Sequence, residues 1–193
     1  MSKEILNKSL QNKITYFIKN NSKNLIYVSI LLILILFSYF FYNDLQKKKE
    51  IKISEQYMQA SMQFKKNKND LAKQQLLIVI DENHKFYSPL ALYFIIENKL
   101  EEDPLKIINF FDKILSIKAI DKENLNLIKI KKAIFLFGLD DEEQIIKTLN
   151  PIINSESVWR VMAVNLISDY FLSKNQKVKA NEYIQLLNKN IKK

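Results

Sequence analysis

An uncharged run near the N-terminus reads Leu25-Ile-Tyr-Val-Ser-Ile-Leu-Leu-Ile-Leu-Ile-Leu-Phe-Ser-Tyr-Phe-Phe-Tyr42, and it contains neither Gly nor Pro. Because a helix rises 1.5 Å per residue, about 18–20 apolar residues cross the ~30 Å hydrocarbon core of a bilayer. Tyr27 lies near one end of the run and four aromatic residues end it, which suits the two membrane interfaces. We therefore predict a single transmembrane helix over residues 25–42.

Two other structures compete with a membrane span. A buried core helix would need a domain that covers this helix on every face, which a chain of 193 residues rarely provides. A cleaved signal peptide usually has a shorter apolar run of about 7–15 residues, followed by an A-x-A-like cleavage site. No such site follows Tyr42. The sequence favours the anchor over both alternatives.

The charges around the span do not define its orientation. The span is preceded by Lys8, Lys13, Lys19 and Lys23 and followed by Lys47, Lys48, Lys49 and Lys52. The positive-inside rule therefore gives a tie. Residues 1–24 form a basic tail whose apolar residues share one helical arc, so it either lies on an anionic cytoplasmic leaflet or is simply solvated.

Composition predicts an all-α protein. One Gly and three Pro are too few for the many turns of a β-sandwich or barrel. The absence of Cys excludes disulfides and thiolate metal sites, and His84 is the only histidine, so we expect no metal and no cofactor. The net charge of +9 is spread along the chain, almost all of it on lysine, and predicts no nucleic-acid partner.

Residues 43–56 continue the membrane helix as a stalk, and residues 57–193 are expected to form the helical domain. Its first helix starts have capping signals. We predict that Asn69 caps a helix over 70–81 and that Ser88-Pro89 opens a helix ending at Leu100. Asp103-Pro104 has the same pattern and opens a helix over 104–116.

The later helix boundaries rest on similar signals. Asp121 is predicted to cap a helix ending at Phe137, with Gly138 as its left-handed terminator. Asp140 and Glu143 have capping-box spacing before the next helix. Residues 156–172 are apolar on most faces, which predicts a helix sandwiched between neighbours, and the last helix is expected to begin at Asn175 or Gln176.

Helix starts recur at intervals of 33 to 38 residues, close to the 34-residue period of TPR hairpins. Small residues are spaced twelve apart in the first and last hairpins, as Ala60 with Ala72 and Ser168 with Ala180. The central repeats fit less well. We predict a degenerate TPR-like solenoid, and an irregular α-bundle remains the alternative.

The C-terminal hairpin reads Ser157-Val-Trp-Arg-Val-Met-Ala-Val-Asn-Leu-Ile-Ser-Asp-Tyr-Phe-Leu-Ser-Lys-Asn-Gln-Lys-Val-Lys-Ala-Asn-Glu-Tyr-Ile184. Together with the basic tail, span and stalk, it resembles the YfgM family of ancillary SecYEG translocon subunits, whose TPR-like domain is also found in CpoB. The resemblance implies a bacterial inner-membrane protein with a cytoplasmic N-terminus and a periplasmic domain. It also implies partners in the Sec translocon and among periplasmic chaperones. A cell-division or envelope-assembly adaptor, unconnected to the translocon, is the alternative.

No pattern in the chain predicts catalysis, so we expect a protein that is not an enzyme. The acidic runs Asp140–Glu143 and Glu101–Asp103 are interpreted as helix starts, and His84 as a loop residue without a catalytic partner. Stacked hairpins form a concave surface that binds peptides or helices. Five residues are predicted to contact such a partner: Tyr57, Tyr93, Asn126, Asn165 and Tyr170. Trp159 with Arg160 is either an interface pair or, preferentially, the filling of a seam between hairpins.

Overall fold

The structure of the protein is a computed structural model that describes residues 13, 15–16 and 19–189. Residues 22–189 form eight α-helices, and no β-strand occurs in the described part of the chain. The helices are α1 Ser22–Lys65, α2 Asn69–Asp81, α3 Tyr87–Glu97, α4 Pro104–Leu115, α5 Lys122–Leu139, α6 Glu142–Ile153, α7 Arg160–Ser173 and α8 Lys177–Lys189. The all-α class predicted from composition is confirmed. Most of the predicted basic tail, residues 1–24, lies outside the described residues.

The chain divides into two compact units, Met1–Lys52 and Ile53–Lys193. In the first unit, the large apolar side chains of α1 from Ile30 to Tyr42 are 49% to 74% exposed. One segment of α1, Ile30–Lys65, is long and apolar enough to cross a membrane by length and composition, and none of its apolar window is buried. This exposure does not fit the alternative of a buried core helix. The span itself, its orientation and the domain boundary at residue 57 stay predictions.

The second unit is built from helices that pack against their neighbours in the chain. Each helix from α2 to α7 contacts the next one, and α5 also contacts α7. The buried apolar residues form two clusters, one from Ile53 to Ile128 and the other from Ile130 to Ala180. Helix α5 contributes buried residues to both. This order of contacts is compatible with stacked hairpins, and the TPR-like geometry stays a prediction.

Two predicted helix caps are confirmed. Asp103 accepts a hydrogen bond from the Leu105 N–H at 2.9 Å, with Pro104 as the first residue of α4. Asp121 accepts one from the Asn124 N–H at 3.0 Å at the start of α5. Both bonds satisfy an N–H group that the first helical turn leaves without a partner.

The small residues predicted at close helix approaches are also buried. Ala60 and Ala72 are fully buried, and the buried Ser168 hydroxyl donates to the Ala180 carbonyl at 3.3 Å. A larger side chain at these positions would push the neighbouring helices apart.

The predicted starts of α2 and α3 are wrong. Asn69 is the first residue of α2, and no side chain caps that helix. Helix α3 begins at Tyr87, one residue before Ser88, and the buried Ser88 hydroxyl does not cap it but donates to the Val79 carbonyl of α2 at 2.9 Å. The helix ends at Glu97 instead of Leu100, since Lys99 adopts a left-handed conformation with φ of 52°.

The junction between α5 and α6 also differs from the prediction. Helix α5 continues through Gly138 to Leu139, and Asp140 is the left-handed terminator with φ of 63°. Asp and Asn tolerate this region better than most residues with a side chain. The next cap is therefore Asp141, which accepts from the Gln144 N–H at 3.1 Å, and the predicted pairing of Asp140 with Glu143 is off by one residue.

The last two helices start later than predicted, at Arg160 and Lys177. Helix α7 packs against α5, α6 and α8, in line with the predicted helix between neighbours, but Val161, Met162 and Leu172 on its remaining surface are about half exposed. Uniform hydrophobicity around the helix hid which face is buried. Trp159 is partly buried against the second cluster, and Arg160 donates to the Ile153 and Leu186 carbonyls, each at 2.8 Å. These contacts fit the seam interpretation.

Candidate partner-binding groove

An open, mainly apolar cavity of the helical domain lies between α3 and α5. It has a volume of about 180 Å³, and the buried Phe111 of α4 is part of its lining. Its remaining lining comes from two helices, with Tyr93, Ile96 and Glu97 on α3 and Lys131, Ile134 and Phe135 on α5.

A second cavity continues along the same pair of helices toward the N-terminus of α3. Its volume is about 160 Å³, and it shares Tyr93 with the first cavity. Its lining is completed by Lys85, Phe86, Pro89, Leu90, Asn124, Leu127 and Ile128. Because Tyr93 lines both cavities, we treat them as one groove, called here the α3–α5 groove.

Tyr93 and Lys131 meet at the centre of this groove. The Lys131 Nζ lies 4.4 Å from the centroid of the Tyr93 ring, a cation–π distance. Burial raises the pKa of Tyr93 to about 12, so its hydroxyl is neutral at physiological pH and serves as a hydrogen-bonding group. The groove thus combines an apolar lining with a positive charge held over its central ring.

Of the five residues predicted to contact a partner, only Tyr93 lines the groove. Tyr57 is partly buried, with its ring 6.0 Å from that of Tyr87 and 6.2 Å from that of Phe94. Burial is the main reason that the pKa of Tyr57 is raised. Asn165 is exposed on α7 and lies outside the groove. Whether these residues contact a partner stays a prediction.

The other two predicted residues point inward. Asn126 is 4% exposed, and its amide donates to the Ser157 hydroxyl at 3.0 Å. Tyr170 is 2% exposed, and its hydroxyl donates to the Asp140 carboxylate at 2.9 Å. In this structure a partner would reach either side chain only after the helices had moved. Both side chains are engaged in hydrogen bonds within the domain.

Sequence reasoning missed every groove residue except Tyr93, including Phe86, Lys131 and Ile134. Ile134 is 52% exposed although it is a large aliphatic residue within a helix. A signal for it was present: Leu127, Lys131 and Ile134 follow an i, i+4, i+7 spacing on α5, beside the face that carries the core.

The acidic runs of the domain are engaged in helix caps and ion pairs. Glu101 pairs with Lys73 at 3.0 Å, and Glu142 pairs with Lys179 at 3.1 Å. His84 has a structural task at the start of α3, where its Nδ1 accepts from the Phe86 and Tyr87 N–H groups at 3.2 and 3.1 Å. Within the described ranges, no group of three or more His, Asp or Glu residues is placed to hold a metal ion.

A larger and more polar depression of about 450 Å³ lies between α4, α5 and α6. Lys132, which lines this depression, is already paired: it is 6% exposed, and its Nζ lies 2.5 Å from an Asp112 carboxylate oxygen. Binding a ligand through Lys132 would require this ion pair to break, which would leave a buried charge without its partner.

Comparison with known proteins adds no relative to this description. No protein-family model, curated protein or solved structure matches the chain.

Proposed function

We propose that this chain is a membrane-anchored scaffold that docks a protein partner in the α3–α5 groove. The observation that carries the proposal is the continuous apolar lining around Tyr93, open to solvent and edged by Lys131 and Glu97. The exposed apolar segment of α1 supports the anchoring half of the proposal.

The dimensions of the groove favour a protein partner over a small molecule. Pockets that enclose drug-sized ligands are single cavities of about 300–1,000 Å³, whereas this groove is divided into two shallow cavities of about 180 and 160 Å³. Two small cavities joined along a helix pair suit consecutive apolar side chains of a peptide or helix. Lys131 and Glu97 then select the register through charges at the edge.

The partner that we propose comes from the resemblance to the YfgM family. In that proposal the chain is an accessory of the Sec translocon, anchored in a bacterial inner membrane with its N-terminus in the cytoplasm and its helical domain in the periplasm. It contacts emerging chains or periplasmic chaperones there.

Site-specific photo-cross-linking in cells tests the docking surface. The photoreactive residue p-benzoylphenylalanine replaces Ile134 in the groove or, as a matched control, Ile78 on α2. The two isoleucines are similarly exposed, at 52% and 48%, so accidental collisions affect both equally. We expect a discrete adduct from position 134 that contains a translocon subunit or a periplasmic chaperone, and none from position 78. Equal adduct patterns from both positions would refute docking in the groove.

A separate experiment tests the topology. A C-terminal fusion to a reporter that is active only in the periplasm is expected to give signal. The fusion protein is also expected to stay in the membrane fraction after alkaline extraction. A fusion that is active only in the cytoplasm would refute the proposed orientation and, with it, the periplasmic partners.

A further inference from the structure

We infer that Lys47, Lys49 and Lys52 of α1 bind the phosphate-bearing headgroups of anionic lipids beside the membrane span. This inference rests on the proposed membrane anchoring of α1 and adds a lipid preference to it. All residues involved belong to the first unit of the chain.

The position of these lysines follows from the continuity of α1. The helix is unbroken from Ser22 to Lys65, so residues beyond the apolar segment keep a fixed rise along the same axis. Tyr39 and Tyr42 are about 60% exposed, and rings of this kind settle at the level of the headgroups. Lys47 then lies about 7.5 Å beyond Tyr42, and Lys52 about 15 Å beyond it.

The headgroup region adds roughly 5–7 Å to each side of the hydrocarbon core. Lys47 therefore lies near the outer edge of the polar layer, and Lys52 lies beyond that edge. Lysine side chains reach several ångströms along the helix to place their ammonium groups in that layer. The first lysines therefore reach the phosphates, and Lys52 stays within about one to two Debye lengths of them.

The charge pattern around the helix favours an anionic partner. Successive residues differ by about 100° in direction, so Lys47, Lys48, Lys49 and Lys52 surround more than half of the helix. All four are exposed. Asp44 pairs with Lys48 at 2.7 Å, which offsets one of these charges. Residues 43–52 contain four lysines and two acidic residues, so the segment has a net charge of +2.

The test uses the full chain in lipid vesicles. Because the protein has no Cys, a Gln46→Cys substitution gives one site for a fluorescent donor. Vesicles of phosphatidylcholine contain 20% phosphatidylglycerol in one series and none in another, at equal ionic strength. A trace of acceptor dye is carried on the acyl chain of one lipid or the other. We expect energy transfer to labelled phosphatidylglycerol to exceed transfer to labelled phosphatidylcholine by about twofold.

Two triple variants assign the effect to this segment. Replacing Lys47, Lys49 and Lys52 with Gln is expected to equalise the two transfer signals. Replacing Lys65, Lys66 and Lys68 with Gln removes the same charge farther along the chain, and it is expected to leave the preference unchanged. Equal transfer in the unsubstituted protein, or equal loss in both variants, would overturn the inference.

Flotation of the same vesicles after an alkaline wash separates this result from the anchoring proposal. Protein that floats without any lipid preference refutes the headgroup site and leaves the anchor intact. Protein that fails to float with either vesicle refutes both.

Discussion

The Ser157 hydroxyl donates a 2.6 Å hydrogen bond to the carboxylate of Glu123, which lies 34 residues earlier in the chain. The same carboxylate accepts the Val158 N–H at 3.2 Å. Asn126 donates its amide to the Ser157 oxygen at 3.0 Å, so three side chains form one connected group. Glu123 thereby fixes the segment before α7 to the first turn of α5.

We expect Glu123→Ala to lower the free energy of unfolding by about 1–3 kcal/mol, because the nearly buried Ser157 hydroxyl and the Val158 N–H lose an acceptor. Glu123→Gln keeps an acceptor oxygen and should cost less. Urea unfolding of the full chain in micelles, followed by the fluorescence of Trp159, measures both. Glu55→Ala on the exposed side of α1 is the control. A Glu123→Ala variant no less stable than that control would contradict the role of Glu123.

The imidazole cap of α3 leads to a second prediction. His84→Ala removes the acceptor for two N–H groups and is expected to cost about 1 kcal/mol. His84→Asn should retain most of the stability, since its Oδ1 occupies the same position along the side chain as Nδ1 of the imidazole. Thermal unfolding followed by circular dichroism compares the three proteins. Equal losses in both variants would show that the ring matters for its packing on Tyr87, 5.2 Å away, more than for its acceptor.

The close approach of α7 and α8 at Ala180 gives a third prediction. Ala180 is 1% exposed, and its carbonyl accepts from the Ser168 hydroxyl. We expect Ala180→Leu to destabilise the domain by about 1–3 kcal/mol through overpacking. Ala119→Leu, in the exposed turn before α5, should change stability by less than about 0.5 kcal/mol. The midpoints of urea unfolding, followed by Trp159 fluorescence, compare the two variants. Unchanged midpoints in both would show that α7 and α8 can move apart at Ala180 without loss of stability.

The pair of Tyr170 and Asp140 makes stability depend on pH at both extremes. Burial, assisted by the hydrogen bond to Asp140, raises the pKa of Tyr170 to about 12. A raised pKa means that the folded state holds the proton more tightly, so this stability is complete below about pH 10 and disappears as pH rises through 12. Hydrogen bonds from Lys174 and Tyr170 lower the pKa of Asp140, so its contribution is present above about pH 4 and is lost in more acidic solution.

Tyr170→Phe tests the alkaline half of this dependence. The variant should be less stable than the unsubstituted protein between pH 7 and 10, and the gap should narrow between pH 10 and 12. Urea midpoints measured across this range give the comparison, and Tyr16→Phe, an exposed tyrosine, is the control. If the difference in stability between the two proteins stays constant up to pH 12, the Tyr170 hydroxyl has the same pKa in the folded and unfolded states, which would contradict the prediction.

Some of the fold could be predicted from sequence because it depends on local chemistry. The Asp103 and Asp121 caps bond to N–H groups two and three residues away, so nothing distant decides them. The all-α class could be predicted because the scarcity of Gly and Pro disfavours turn-rich β folds along the whole chain.

Other features depended on contacts that sequence spacing does not contain. Ser88 has the right position in the sequence for a cap, but its hydroxyl donates a hydrogen bond to the carbonyl of Val79 on another helix. Tyr170 lies on a helix that is apolar on most faces, so the pattern did not reveal that it points inward. Ile134 becomes part of a groove only because α3 lies beside α5.

Helix α5 carries Ile128 in one hydrophobic cluster and Ile130 in the other, only two residues apart. A helix forms and melts cooperatively, so these neighbouring residues gain or lose their order together. Damage to α5 therefore removes packing from both halves of the domain at once. The two clusters meet within a single turn of helix, and a substitution that breaks this turn is expected to let them unfold in separate transitions.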